Sequence, residues 1–270
     1  MKRYYKSLLS FFMSALLVLS VMTPMISVTA ADKPEISVVN LVAEGDVSET
    51  GHLSEKWVDE EGNEVNFNST VSKKPVANHS VSIPSKYSSK DLGYCSDVRY
   101  QGGTNSCWAF AAIAGAETTL LRKGLVTKSS ELSDLSEAHL VWFAHKSLTT
   151  DVSDPTFGDG TNVGSPYSSG GDWHRSTFTL ARGAGYALEK DYPFYADNVT
   201  KMGNYPEENR YDSKATLDSA YLIPDDNTEE IKKAIMTYGA VNFAGAIVME
   251  YLNGSAYYQN STTGTNHQMI

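Results

Sequence analysis

The segment that most constrains this chain is Gln101-Gly102-Gly103-Thr104-Asn105-Ser106-Cys107-Trp108-Ala109-Phe110, where a glycine-rich turn runs into an apolar helix. From Ser106 to Arg122 apolar residues recur at near-helical spacing (Trp108 to Ile113, then Leu120-Leu121), and Gly124 supplies a stop. A cysteine in the first turn of a helix meets unpaired backbone N–H groups and the positive end of the helix dipole. Both favour an anion, so the placement predicts a thiolate that forms more easily than usual, as a cysteine nucleophile requires. Taken alone, the same residues also fit a small cysteine buried at a helix start.

The chain has 270 residues, a formal net charge of -10 and 41% hydrophobic residues, enough for one ordinary or two small globular domains. Its acidic balance argues against a nucleic-acid partner, because phosphate neutralisation needs a surplus of Lys and Arg. Two cysteines cannot build a disulfide framework or a four-thiolate zinc site. Near-average glycine, proline and charge exclude collagen-like structure or disorder for the chain as a whole.

Met1 to Lys6 carries three positive charges, Leu8 to Met22 is apolar apart from three serines, and small residues follow at Val28-Thr29-Ala30-Ala31. Residues 1–30 therefore read as a secretory signal peptide rather than an uncleaved membrane anchor. The protein is expected to be secreted, extracellular or cell-surface, with no membrane span in its mature form. Export leaves two options for the cysteines: a Cys95–Cys107 bridge, or one packed thiol and one reactive thiol.

Residues 31–82 are polar and acidic, around Glu44-Asp46-Glu49 and Asp59-Glu60-Glu61, and read as a prosegment or spacer. Residues 83–270 read as one globular unit. Ser136 is expected to cap a second helix, with Leu135 and Leu140 as a hydrophobic staple. Asn227 to Tyr238 is expected to form a third, with Asn227 and Glu230 at capping-box spacing and Gly239 just past its end. Ala240 to Val248 reads as a buried strand, with Val241, Phe243, Ile247 and Val248 as its bulky members. Helices early and strands late indicate an α+β chain with segregated layers.

Gln101 stands six positions before Cys107, and Cys107-Trp108-Ala109-Phe110 opens the helix. This arrangement resembles the active-site segment of the papain-like cysteine peptidases. Further stretches are similar, in order: Ile83-Pro84-Ser85-Lys86-Tyr87, Gly93-Tyr94, Leu135-Ser136-Glu137, the paired glycines Gly170-Gly171, Asp191-Tyr192-Pro193-Phe194, Ile231 to Ile235 and Tyr238-Gly239. The resemblance implies a two-lobed α+β fold, with a helical lobe carrying the nucleophile and a β-barrel-like lobe that is incomplete here.

The resemblance also implies a base for the thiol, a histidine in an Asn-His or Asp-His pair entering a strand. Asn266-His267 is the best match among six histidines. It lies 160 positions after Cys107, against roughly 130–150 in the family. The acidic run from Thr149 to Ser169 is a plausible insertion to account for the difference. His139 and His145 are expected to be structural, His174 borders the cleft glycines, and His52 and His79 precede the domain. The implied chemistry is peptide hydrolysis through an acyl-enzyme. Cys107 is the nucleophile, His267 the base, and Gln101 with the Cys107 backbone N–H the oxyanion donors. Gly170 and Gly171 would line the substrate cleft, where missing side chains admit a peptide backbone, and Asp172 and Trp173 would lie near the specificity pocket. Substrates would be peptides or proteins. The chemistry needs no metal or organic cofactor.

Two departures stand out. Many relatives bridge a cysteine three positions before the nucleophile to one two positions before the cleft glycines; here those positions are Thr104 and Ser168. Cys95 then reads as a packed free thiol. The family's orienting asparagine lies in a later Asn-Ser-Trp-Gly-like segment, and Ile270 follows His267 by three positions. The expectation is therefore either a fragment or a truncated, inactive product; Asn242 and Asn266 are not good substitutes. Export signal, short lead-in and missing bridge resemble bacterial secreted or cell-surface members. The alternative function is a papain-fold protein that binds peptide or cell-surface material without cleaving it; a second is an adhesion module with Cys95 and Cys107 merely packed.

Overall fold

A computed structural model describes residues 82–146, 164–247 and 267–270, with the backbone alone of 42–47, 53–58, 252–253 and 256–257. The chain divides into units of 1–39 and 40–270, and every described residue belongs to the second. The signal peptide, His52, His79, residues 149–163 of the expected insertion, Val248 and Asn266 lie outside the described residues.

Four α-helices follow in chain order: α1 (Cys107–Arg122), α2 (Glu137–Ala144), α3 (Trp173–Ala181) and α4 (Thr228–Tyr238). Helix α1 begins one residue after Ser106 and ends as expected. The Gly124 N–H donates to Leu121 O and the Leu125 N–H to Leu120 O, each at 3.0 Å, the paired bonds of a Schellman stop. Ser136 caps α2 by accepting from the His139 N–H at 3.0 Å, while its own hydroxyl donates to Tyr192 O at 2.5 Å. Asn227 caps α4 through the Glu230 N–H at 3.2 Å.

The core sits where α1, α2 and the strand-like segment 184–188 meet. Trp108, Ala109, Ile113, Leu135, Leu140, Val141, Tyr167 and Leu188 are all buried there. Helix α2 is buried along nearly its whole length, so its sequence, Glu-Ala-His-Leu-Val-Trp-Phe-Ala, lacks a polar face. Arg210 is buried beneath its far end and donates to the Phe143 and Lys146 carbonyls, each at 2.8 Å, satisfying acceptors that the helix leaves open.

Arg99 is the polar hub of this half. Its guanidinium donates to Leu135 O and Glu137 Oε1, each at 2.7 Å, pairs with Asp134 Oδ1 at 2.9 Å, and bonds Glu117. Glu117 in turn accepts from the Leu135 N–H at 2.7 Å. The loop before Cys107 is thereby pinned to α1 and α2 together.

Among the described residues the strands form three two-stranded antiparallel pairs. β1 (Val42–Val47) pairs with β2 (Leu53–Val58), placing Glu44 opposite Lys56. No element was expected there, because neither strand alternates cleanly in polarity. β4 (Leu252–Asn253) pairs with β5 (Ala256–Tyr257). β3 (Phe243–Gly245) pairs with β6 (His267–Met269), setting Gly245 opposite His267 and Phe243 opposite Met269.

The expected buried strand over Ala240–Val248 is corrected here. Only Phe243–Gly245 is extended and paired, and Phe243 is 52% exposed. A short apolar run reads as a buried strand from sequence, but burial requires cover on both faces, and Phe243 lacks it. β6 is the better covered strand: it packs on α1, Gln268 is buried, and Ile270 Cδ1 lies 3.5 Å from where a Cβ on Gly115 would stand.

Candidate active site

Two short elements converge on Cys107. The first is the turn that precedes α1. Gly102 has φ +64, and a Cβ there would lie 2.2 Å from the Ala196 carbonyl oxygen, so the turn needs a glycine both for its backbone and for its packing. Beyond it, Gln101 Nε2 donates to Thr104 O at 2.8 Å, and Thr104 Oγ1 donates back to Gln101 O at 2.8 Å. The second element is β6, which packs on α1 and brings the Gln268 backbone near the Cys107 thiol. His267 is the preceding residue of that strand.

The electrostatics differ from the expectation. Cys107 is only 1% exposed. That burial pushes its thiol up to about 11, against the opposing pull of backbone hydrogen bonds from Gln268, Trp108 and Cys107 itself. Desolvation of the charged form therefore outweighs the helix start. Burial also lowers His267 below the usual histidine value, and its Nδ1 is buried with no hydrogen-bond partner among the described residues. Burial thus favours the neutral form of each group. Asn242 does not orient His267: its Oδ1 accepts from Gln268 Nε2 at 2.8 Å. Cys95 and Cys107 are both free, and Cys95 is half-buried.

The cleft glycines are packed into the same site. Gly170 has φ +68 and its carbonyl takes a 2.9 Å hydrogen bond from His145 Nε2. Gly171 lies against the Trp108 indole. His145 meets that indole edge-on at 5.7 Å, and burial drops its ring to about 3, so it stays neutral. His139 is likewise buried, bonded to Asn209 O at 2.9 Å and lowered by burial to about 4. Both histidines are core residues.

Asp172 and Trp173 stand at the start of α3. The Asp172 carboxylate caps α3 through the Arg175 N–H at 3.1 Å, contacts His174 Nδ1 at 2.5 Å, and is 3% exposed. Its oxygens serve the helix start rather than open space. Trp173 is half-buried and stacks on the His174 ring with centroids 3.5 Å apart. Sequence reasoning missed Asn105, whose N–H donates to Tyr167 O at 2.8 Å and whose Nδ2 donates to Ser168 O at 2.7 Å. Nothing local marks an asparagine as a tie to a segment more than sixty positions away.

Comparison with known proteins decides the family. The model of the papain family cysteine proteases matches residues 83–270. The chain belongs to that family. Cathepsin L2 of Homo sapiens is 25% identical over 187 residues, covering 68% of this chain and 48% of that protein. Cathepsin 7 of Rattus norvegicus is 27% identical over 171 residues, covering 63% of this chain and 44% of that one. Among solved structures, the cysteine protease and lectin-like domains of Cwp84, a surface layer associated protein of Clostridium difficile, superpose with a TM-score of 0.52 at 25% identity. That match covers 72% of this chain and 39% of the other. Procathepsin L 3 from Tenebrio molitor, at 20% identity and a TM-score of 0.54, shares the fold. The papain-family chain thus spans under half the length of these curated relatives. It has the family's α+β architecture, with α1 carrying Cys107. No helix among its described residues is long and apolar enough to cross a membrane.

Proposed function

We propose that residues 83–270 are the peptidase domain of an exported cysteine protease, preceded by a signal peptide over 1–30 and a prosegment or spacer over 31–82. Cys107 is the nucleophile, His267 its base, and Gln101 with the Cys107 N–H the oxyanion donors. The observation that carries the reading is the packing of β6 on α1, with the Gln268 backbone beside the Cys107 thiol and His267 next in chain. The Nδ1 of His267, without a hydrogen-bond partner among the described residues, supports it as well, because a base needs a ring nitrogen that is not already committed.

In the proposed cycle the resting pair is neutral, and the thiol proton passes to His267 as substrate docks. The thiolate then attacks the scissile carbonyl carbon and a C–S bond forms. The oxyanion is held by the two donors, each contributing about 3–4 kcal/mol when well aimed. The imidazolium gives its proton to the leaving amine as the C–N bond breaks. Water, deprotonated by His267, hydrolyses the thioester and restores the thiol. Peptides or proteins are the substrates. The likeness to Cwp84, described as surface layer associated, supports action outside the cell or at its surface.

A peptidyl epoxide and a fluorogenic peptide test this. Single-site labelling at Cys107 with peptide turnover, both lost in Cys107→Ala and His267→Ala, is the expected result. Slow labelling shared with Cys95 and no turnover would leave a papain-fold protein that binds peptide without cleaving it.

A further inference from the structure

We infer that Thr104 and Asn105 are positioning residues: together they aim the Gln101 amide and lock the nucleophile loop onto the segment that leads to Gly170. For its effect on turnover, this rests on the peptidase reading above.

Thr104 is buried at 3% exposure. Its hydroxyl donates to the Gln101 carbonyl and its own carbonyl accepts from the Gln101 side-chain amide, both at 2.8 Å. One residue thus fixes the Gln101 backbone and its side-chain rotamer at the same time. Glutamine has three side-chain torsions, and an oxyanion donor acts only if it is aimed before charge develops. The Gln101 amide carries two hydrogens. Thr104 takes one of them.

Asn105 ties this turn to the rest of the fold. Its backbone and side chain donate to the consecutive carbonyls of Tyr167 and Ser168, at 2.8 and 2.7 Å. Tyr167 is buried and its hydroxyl donates to Ala138 O of α2 at 3.1 Å. Two residues past Ser168, the Gly170 carbonyl is held by His145. On the opposite side, Gly102 is wedged against the Ala196 carbonyl. The loop is therefore held between two anchored segments with no covalent link, Cys95 and Cys107 both being free.

The test compares the full chain with Thr104→Val, which removes the hydroxyl at nearly constant shape, Thr104→Ser, which keeps it, and Asn105→Asp, which keeps shape but cannot donate to Ser168 O. Peptide turnover, affinity for a peptide aldehyde (whose hemithioacetal oxygen occupies the oxyanion position) and amide hydrogen exchange are measured. Thr104→Val and Asn105→Asp are expected to lower kcat about tenfold with little change in KM, and to weaken the aldehyde in parallel. Thr104→Ser is expected to restore most of the rate. Exchange of the Gln101 side-chain amide should accelerate in Thr104→Val, and that of the Asn105 N–H in Asn105→Asp. Wild-type kcat and aldehyde affinity in both variants would overturn the inference. A parent chain that neither turns over peptide nor binds the aldehyde would instead sink the peptidase reading. The clamp would then be decided by exchange alone, and unchanged exchange in both variants would overturn it.

Discussion

The Trp108 indole fills the space that a side chain at Gly171 would need: a Cβ there would lie 2.6 Å from Trp108 Cε2. Trp108 follows Cys107 in the first turn of α1, so Gly171 is packed against the element that presents Cys107. The glycine pair therefore has a packing reason as well as the one suggested by access for a peptide backbone. Gly170 contributes through its carbonyl, which bonds His145, whose ring meets the same indole edge-on.

Gly171→Ala must therefore displace either the indole or the first turn of α1. Overpacking of a filled core costs about 1–3 kcal/mol, which in a unit of this size lowers Tm by roughly 3–10 °C. Gly164→Ala is the control, because a Cβ there meets nothing within 4 Å. Thermal unfolding of the two variants should separate them clearly; equal midpoints would show that the indole shifts without cost.

Burial of Cys107 sets the pH dependence of its reactivity in the free protein. With the thiol pushed up to about 11, its thiolate fraction rises about tenfold per pH unit through the neutral range. Alkylation by iodoacetamide should climb from pH 7 to pH 10 without levelling near neutrality. A peptidyl epoxide, which docks as substrate does, should label faster at pH 7 and lose that advantage in His267→Ala. A plateau for iodoacetamide between pH 5 and 8 would show that the thiolate–imidazolium pair already exists at rest.

The carboxylates around Arg99 make stability depend on pH. Burial pushes Glu137 up to about 8 and Glu189 up to about 7, and raises Glu117 as well, with Arg99 pulling each of them down. A carboxyl whose value is higher folded than unfolded binds its proton more tightly in the native state. Its contribution is complete below the unfolded value of about 4.3, and is lost as pH rises through the folded values near 7 and 8. The unfolding midpoint should be several degrees higher at pH 5 than at pH 8.5. Glu137→Gln, which stays neutral throughout, should flatten that slope; an unchanged slope would place the titrating groups elsewhere.

Local chemistry was readable wherever it rested on near neighbours in sequence. The start and stop of α1, the Ser136 and Asn227 caps and the cysteine at the helix start all depend on residues within about five positions. Relations across the chain were not readable. Arg99 looks like an ordinary loop arginine, yet it gathers Glu117, Asp134 and Glu137, which only the packing of α1 against α2 brings together. Thr104 and Ser168 stand where many relatives have a cysteine bridge, and their absence left the loop without an evident tie. The structure supplies one through Asn105, bonded to Tyr167 and Ser168. The burial that opposes ionisation of the Cys107 thiol was not readable for a related reason: a helix start can be read from sequence, whereas burial cannot.

Asp172 gives the sharpest separation between a helix cap and a specificity residue. Its carboxylate is committed to the Arg175 N–H and to His174, and it is buried. Asp172→Ala removes the cap of α3 and the partner of a buried histidine. The cap alone costs about 0.5–2 kcal/mol, and an unmet hydrogen bond at His174 adds to it. Asp172→Asn keeps an oxygen for the Arg175 N–H and should recover part of the loss. Neither variant should change the order in which a peptide library is cleaved, because the carboxylate is directed at α3 and His174. A reordered preference in Asp172→Asn at unchanged Tm would return Asp172 to the substrate pocket.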